Sequence, residues 1–457
     1  MNHDDPYPCL PSVLLPSSPH CLCEDRFSLT VHNTLIVPAW SLIQTVLNEL
    51  PQSPAELIAQ IETLSVAFHG STIPNTSFLA RFICNSWDGM RFLTKTWPAC
   101  IHIALEMPAL FPAGVLRPLT HDAPVRQYSK RQIACLVVHQ CLCTLSRPSW
   151  MQHDGSPDFR IWYADTQPHP KAVHAYLYAL FTYFDRIAQS SPSTECLISL
   201  TLHHKSALPP ISSATCFVPF DLVEVAEVST SPALLGLPSG ACVISANKHI
   251  GFGRTGSQEE TQVGATPEAS AVVLMVPPLG DSDVLVVRGV ESMIEMHGYG
   301  RKAAMTGIVQ EGVWQWGRRT MLFMDALELD AYDTRDGAFV PDLLPGNVER
   351  ELTKAYTAFA SAEYTEVVTG LWGCGAFGGN AEIKTIIQWC AASAAGVPLK
   401  FVCELTKNQF LAALKQFIER AEARKWPVSA VLAVVIAIGP GDMAARSVFE
   451  HVASILS

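Results

Sequence analysis

The stretch VVTGLWGCGAFGG, Val367 to Gly379, decides the fold. Its apolar start, Glu366 to Val368, reads as a short strand that breaks into a glycine-rich loop, Gly373 to Gly379. Asn380 to Ile383 open an Ala-rich helix running to about Ala395. Gly396 stands at the C-cap position, and Pro398 precedes a second apolar run, Leu399 to Cys403. Strand, glycine loop, helix, strand is a unit that binds phosphate. Glycine lets the backbone approach an anion, while free N–H groups at the helix start and the helix dipole hold its charge.

Outward from this unit, length and charge bound the reading. A chain of 457 residues is long enough for two or three domains. A net charge of −11 excludes a broad basic field, so neither direct nucleic-acid binding nor an anionic membrane surface is expected, and a polyanionic ligand would need local backbone cradles. The 14 cysteines include no CxxC pair and no Cys/His cluster with zinc spacing, which predicts no metal and reduced, buried thiols in a nuclear or cytoplasmic protein. Cys135, Cys141, Cys143 and Cys390 lie on apolar helix faces. Residues 1–25, with Cys21 and Cys23, read as a disordered or extended Pro-rich leader without the basic start of a signal peptide. The longest apolar run, Val431 to Ile438, is too short to span a bilayer.

Residues 26–190 read as helical. Ser53 to Glu56 form a capping box with proline at the first helical position, and a second box, Ser129 to Gln132, opens the run Ile133 to Leu145. The aromatic residues from Tyr176 to Phe184 recur at helical spacing and read as core. Ser/Pro-rich stretches near residues 190–193 and 209–213 bracket the strand-like CLISLTLHH, after which β-branched runs (Ala271 to Val276, Val284 to Val287, Thr320 to Met324) alternate with helical or glycine-rich segments. That texture predicts an α/β layer architecture, residues 191–457, with its site in loops at strand ends.

One such loop, SANKHIGFGRTGSQEETQVGATPEAS from Ser245, holds Gly251, Gly253 and Gly256 ahead of the adjacent carboxylates Glu259 and Glu260. Adjacent side chains diverge, so at most one faces a substrate squarely; the plainer alternative is a solvated helix start favoured by the dipole. The spacing Gly373, Gly375, Gly378, with Glu404 ending the next strand, also fits a dinucleotide-binding fingerprint, the mark of a nicotinamide-dependent oxidoreductase.

The string TGLWGCGAFGG closely resembles the second signature of the poly(ADP-ribose) glycohydrolases. The family's first signature, a glycine triplet followed by QEE, is matched by Gly251, Phe252, Gly253 and by Gln258, Glu259, Glu260, with the family's Pro-Glu at Pro267 and Glu268. RGVESMIEMHGYG places Tyr299 where the family has an adenosine-side tyrosine. RRTMLFMDALELD and ERELTKAYTAF resemble the strand and helix before the second signature, and the segments from Phe92 and Pro118 resemble the accessory domain. The resemblance implies a helical accessory domain followed by a macrodomain-like mixed β-sheet flanked by helices. It also implies hydrolysis of ribose–ribose bonds in poly(ADP-ribose) to ADP-ribose, without cofactor, in the nucleus or cytoplasm and in the DNA damage response.

By the same resemblance Glu260 is the general acid/base and Glu259 holds the ribose, since adjacent residues cannot flank a sugar from two sides. The diphosphate lies between the loop Gly251 to Gly256 and the loop carrying Gly373, Cys374, Gly375, Ala376 and Gly378; Phe377 and Asn247 meet the terminal ribose. The chain departs from the pattern at Ile244 for an aspartate, Phe252 for the middle glycine, Leu371 for an asparagine, Asn380 for an aspartate and Glu404 for an aromatic. Phe252 would resist the positive φ open to glycine and add bulk beside the phosphates. The alternative these departures raise is an ADP-ribose-binding module without turnover.

Overall fold

The computed structural model describes residues 11–25, 35–70, 75–152, 155–332, 339–442 and 447–457. Contacts divide the chain into two compact units. The first runs to Leu200 and adds His249–Pro278 and Gly289–Glu311; the second takes Thr201–Lys248, Leu279–Arg288 and Gly312–Ser457.

The first unit is mainly helical. Helix α1 (Pro54–His69) starts where the Ser53 side chain accepts from the Glu56 N–H, and it ends at Gly70 in the left-handed region, φ 68. Strand β1 (Val125–Ser129) leads into α2 (Lys130–Cys141), whose Ser129–Gln132 capping box is complete and whose residues from Ile133 to Cys141 are all buried. Each such cap contributes about 1 kcal/mol. Helix α3 (Pro170–Gln189) carries the aromatic run: Tyr176, Phe181, Tyr183 and Phe184 are core. Strand β2 (Leu197–His204) and helix α4 (Gln258–Gly264) complete the elements used below.

Residues 249–278 pack with the helices rather than following a division near residue 190. A Cβ on Gly264 would sit 2.2 Å from the Tyr176 ring, so only glycine lets α4 lie this close to α3. Ser270 reinforces the packing by donating to Gln140 Oε1, 2.7 Å. Two expectations change here. Ala271 to Val276 is no strand; Pro267–Leu274 is a fully buried 3₁₀ helix. Of the leader, residues 1–10 lie outside the described residues. Beyond them Val13–Leu14 pairs with Val115–Leu116, and Leu22–Asp25 with Leu35–Pro38, with Cys21 and Cys23 buried, so this part is built into the unit.

The second unit is layered. Its strands are β3 (Phe220–Val225), β4 (Ala241–Ala246), β5 (Asp283–Arg288), β6 (Thr320–Asp325), β7 (Val367–Thr369) and β8 (Leu399–Glu404). Within the unit these strands form a mixed sheet in the order β5-β6-β4-β7-β8-β3. β6, β4, β7, β8 and β3 run parallel, while β5 is antiparallel to β6. Helices α5 (Asn347–Phe359), α6 (Ala381–Ala395), α7 (Asn408–Arg424), α8 (Val428–Ala437) and α9 (Val448–Ile455) share one apolar core with the sheet, including Val243, Leu322, Ile386, Trp389, Phe401, Leu414 and Val431.

Helix α6 follows the sequence closely. The Asn380 side chain caps it by accepting from the Glu382 and Ile383 N–H groups, and Gly396 ends it at φ 71. The parallel strands put the loops after β4, β6 and β7 at one sheet edge, the edge where open α/β sheets take ligands. No helix among the described residues is long and apolar enough to cross a membrane.

Candidate active site

Two loops carry the residues singled out by the sequence, one in each unit. In the first unit, α4 begins with a capping box in which Ser257 Oγ accepts from the Glu260 N–H and the Glu260 side chain reaches back to the Ser257 N–H. Glu260 Oε2 accepts from Thr255 N at 2.7 Å, Thr255 Oγ1 at 2.9 Å and Ser257 N at 3.2 Å. Its Oε1 has no such partner among the described residues and points to the backbone of Gly253, where a Cβ would stand 1.8 Å away. Gly253 is therefore glycine to admit a carboxylate. Glu259 is buried, and its Oε1 accepts from Gly251 N at 2.9 Å. The two carboxylates thus diverge: one braces the loop from beneath, and the other is tethered by one oxygen only.

The Phe252 expectation is corrected. The residue is absent from the left-handed region, as are Gly251 and Gly253; only Gly256, φ 67, uses it. The Phe252 ring packs on Phe159 and Trp162, with centroids at 5.2 Å and 5.3 Å. These two rings stack on each other at 4.6 Å, and Trp162 Nε1 donates to Gly253 O, 2.8 Å. Tyr299 follows the hairpin strand Ile294–His297 and is half exposed. It neighbours Gly300, whose N–H donates to Gly256 O at 2.8 Å. Gln258 is the first residue of α4.

In the second unit, Asn247 follows β4 and donates to Glu328 Oε1 at 3.3 Å. The glycine loop follows β7. Gly373 and Gly378 have φ 75 and 70, and a Cβ on Gly373 would lie 2.6 Å from Ala326 Cβ. Gly375, Ala376 and Gly378 are exposed. The N–H groups of Gly375, Ala376 and Phe377 donate to no acceptor among the described residues, whereas those of Gly378 and Gly379 close the loop on Gly375 O and Gly373 O. Phe377 O accepts from Leu329 N at 2.8 Å, so the loop after β6 ties Phe377 to the neighbourhood of Asn247. Burial pushes the Cys374 thiol up to about 12, so it stays protonated at neutral pH.

The remaining departures are structural. Ile244 is fully buried in the middle of β4, opposite Phe323. Glu404 accepts from Val228 N at 3.2 Å and from Thr406 Oγ1 at 3.2 Å, which turns its carboxylate to local capping. The antiparallel β5 also departs from the all-parallel sheet of the dinucleotide-binding fold.

Sequence reading missed three groups. Tyr176 read only as core, and it is core; its hydroxyl has no hydrogen-bond partner among the described residues, and burial, then the charge of Glu260, pushes the phenol well above its usual range. Trp162 had no signal at all. Lys384 stands fourth after the Asn380 cap in an Ala-rich helix and is fully buried against the glycine loop.

Comparisons agree with this architecture. Residues 86–201 match the poly(ADP-ribose) glycohydrolase helical domain, and residues 234–410 match the macro domain fold of the same family, together more than half of the chain. Poly(ADP-ribose) glycohydrolase 1 of Caenorhabditis elegans is 27% identical over 299 residues, covering 61% of this chain and 37% of that one. Probable poly(ADP-ribose) glycohydrolase 2 of Arabidopsis thaliana is 25% identical over 253 residues, covering 44% and 46%. The match spans less than half the length of either relative. Among solved structures, the poly(ADP-ribose) glycohydrolase from Thermomonospora curvata matches with a TM-score of 0.29 at 15% identity, covering 43% of this chain and 73% of that one.

Proposed function

Because the chain belongs to the poly(ADP-ribose) glycohydrolase family, we propose that it hydrolyses the ribose–ribose O-glycosidic bonds of poly(ADP-ribose) and releases ADP-ribose. As that bond breaks, positive charge develops at the anomeric carbon and negative charge on the leaving oxygen. A carboxylic acid that protonates this oxygen, then takes a proton from the attacking water, serves both steps. The observation that carries the assignment is the division within the Glu260 carboxylate: Oε2 is tethered by three donors, while Oε1 is uncommitted beside Gly253. Glu259, bonded to the Gly251 N–H, holds the loop and the ribose. The family resemblance assigns Gly375, Ala376 and Phe377 to the diphosphate, and Asn247, Gln258, Phe377 and Tyr299 to the sugars and base.

The test is incubation with purified poly(ADP-ribose) and assay of free ADP-ribose. The parent chain should release it, and Glu260→Gln should lower turnover by about 10² to 10⁴ while ADP-ribose binding changes little. Near-parental turnover in Glu260→Gln would remove the assignment. An ADP-ribose-binding module without turnover, the alternative raised by Ile244 and Phe252, is separated by the same assay. The family also carries the expectation of work in the nucleus or cytoplasm on ADP-ribosylated proteins, including those marked in the DNA damage response; cell fractionation tests it.

A further inference from the structure

Behind the glycine loop the second unit holds three buried acids, Asp325, Asp342 and Glu351, together with Lys354, Arg350 and Lys384, and Arg350 also reaches the exposed Asp281 at 3.5 Å. Lys354 pairs with Asp325 at 2.6 Å, Arg350 bridges Asp325 and Glu351, and Lys384 bonds Glu351 and lies 3.8 Å from Asp342. Excluding Asp281, the charges cancel. Lys384 is the member nearest the loop. A Cβ on Gly379 would stand 2.7 Å from its Cε, and one on Gly373 3.3 Å from its Nζ, so the ammonium lies directly under the loop backbone. It also sits over the Trp372 ring, 4.9 Å from the centroid. Its two acidic partners hold backbone of two loops: Glu351 Oε1 accepts from Leu327 N after β6 at 3.0 Å, and Asp342 Oδ2 from Asn380 N, just past the glycine loop, at 2.9 Å. Asp342 Oδ1 is buried and makes no hydrogen bond.

Helix packing alone does not call for a cation here, since a buried ion pair is often no more stable than an apolar replacement of similar volume. The loop whose ends, Gly373 and Gly379, lie against this cation carries the N–H groups of Gly375, Ala376 and Phe377, which donate to no acceptor among the described residues. We propose that Lys384 is a positioning residue for the diphosphate: it cancels Glu351 and Asp342 beneath the loop, so that a dianion can settle on the backbone N–H groups without facing buried negative charge. This rests on the ADP-ribose reading above. Without Lys384 the same loop would stand on a net negative floor, and because desolvated charges act over several ångströms at low effective dielectric, the penalty falls on charged ligands only.

The experiment compares ADP-ribose with uncharged adenosine, by calorimetry for the first and ligand-observed NMR for the second. Lys384→Met should weaken ADP-ribose binding about tenfold and leave adenosine binding unchanged. Glu351→Gln, which removes a negative charge from the floor, should tighten ADP-ribose binding, and the double variant should return toward the parent. The proposal is overturned if Lys384→Met keeps parental ADP-ribose affinity, if both ligands weaken equally, or if Glu351→Gln weakens ADP-ribose selectively. A parent chain that fails to bind ADP-ribose would instead remove the family reading on which the proposal stands.

Discussion

The loop before α4 and the loop before α6 are both rich in glycine, yet they use it for opposite ends. In the first unit, Gly253 has no left-handed backbone; its missing Cβ makes room for a carboxylate oxygen that would otherwise be 1.8 Å from it. In the second unit, Gly373 and Gly378 are left-handed, and what they free is backbone N–H. The first loop turns its own N–H groups inward onto Glu259 and Glu260. The second leaves three of them without an acceptor among the described residues, in a loop whose ends rest on a buried lysine. A glycine-rich string in sequence is therefore two different devices: one seats an acid, and one leaves backbone N–H groups open.

The comparison can be broken most sharply at Gly253. Gly253→Ala should push Glu260 out of place and lower turnover by about 10², the scale at which misplacing a reacting group by an ångström is felt. Gly251→Ala is the control, since its added methyl meets nothing closer than 3.7 Å, and it should stay within about twofold of the parent. Release of ADP-ribose from polymer measures both. Equal losses in the two variants would mean that the loop needs glycine for flexibility rather than for the approach of Glu260.

A smaller effect is expected at Gly378, where φ is 70 and an added Cβ would lie 3.1 Å from Asp330 Cα. Left-handed backbone costs an ordinary residue about 1–2 kcal/mol, so Gly378→Ala should weaken ADP-ribose binding about tenfold. Turnover at saturating polymer should hold, because Glu260 is untouched. Loss of turnover with intact binding would reverse the division between the two loops.

Much of this was legible. The run from Val367 to Cys403 announces strand, loop, capped helix and strand because each boundary has its own residue: Asn380 at the start of α6, Gly396 after it. The capping box that tethers Glu260 was equally written, in Ser257 and Glu260 three residues apart, but QEE reads first as a solvated helix start and hides it. Ala271 to Val276 misleads because a short apolar run without periodicity fits a buried strand and a buried helical turn alike. The depth of Lys384 and the reach of Trp162 to Gly253 are tertiary facts. Nothing local distinguishes a lysine that snorkels to solvent from one that sits under a loop.

The smallest effect sharpens the comparison from the side of the helices. Trp162 stacks on Phe159 with an interplanar angle of 6°, and its indole Nε1–H donates to Gly253 O at 2.8 Å. The two contacts separate under substitution: Trp162→Phe keeps an aromatic ring for the stack and removes only the donor. Gly253 O then loses its partner, a change of about 1 kcal/mol for an ordinary hydrogen bond, and the loop that positions Glu260 gains freedom at that point. Turnover should fall about three- to fivefold, while ADP-ribose binding, which the proposed site assigns to backbone groups of the other loop, should stay at the parental value. A drop in melting temperature with unchanged turnover would assign Trp162 to packing alone and leave the placing of Glu260 to Thr255 and Ser257.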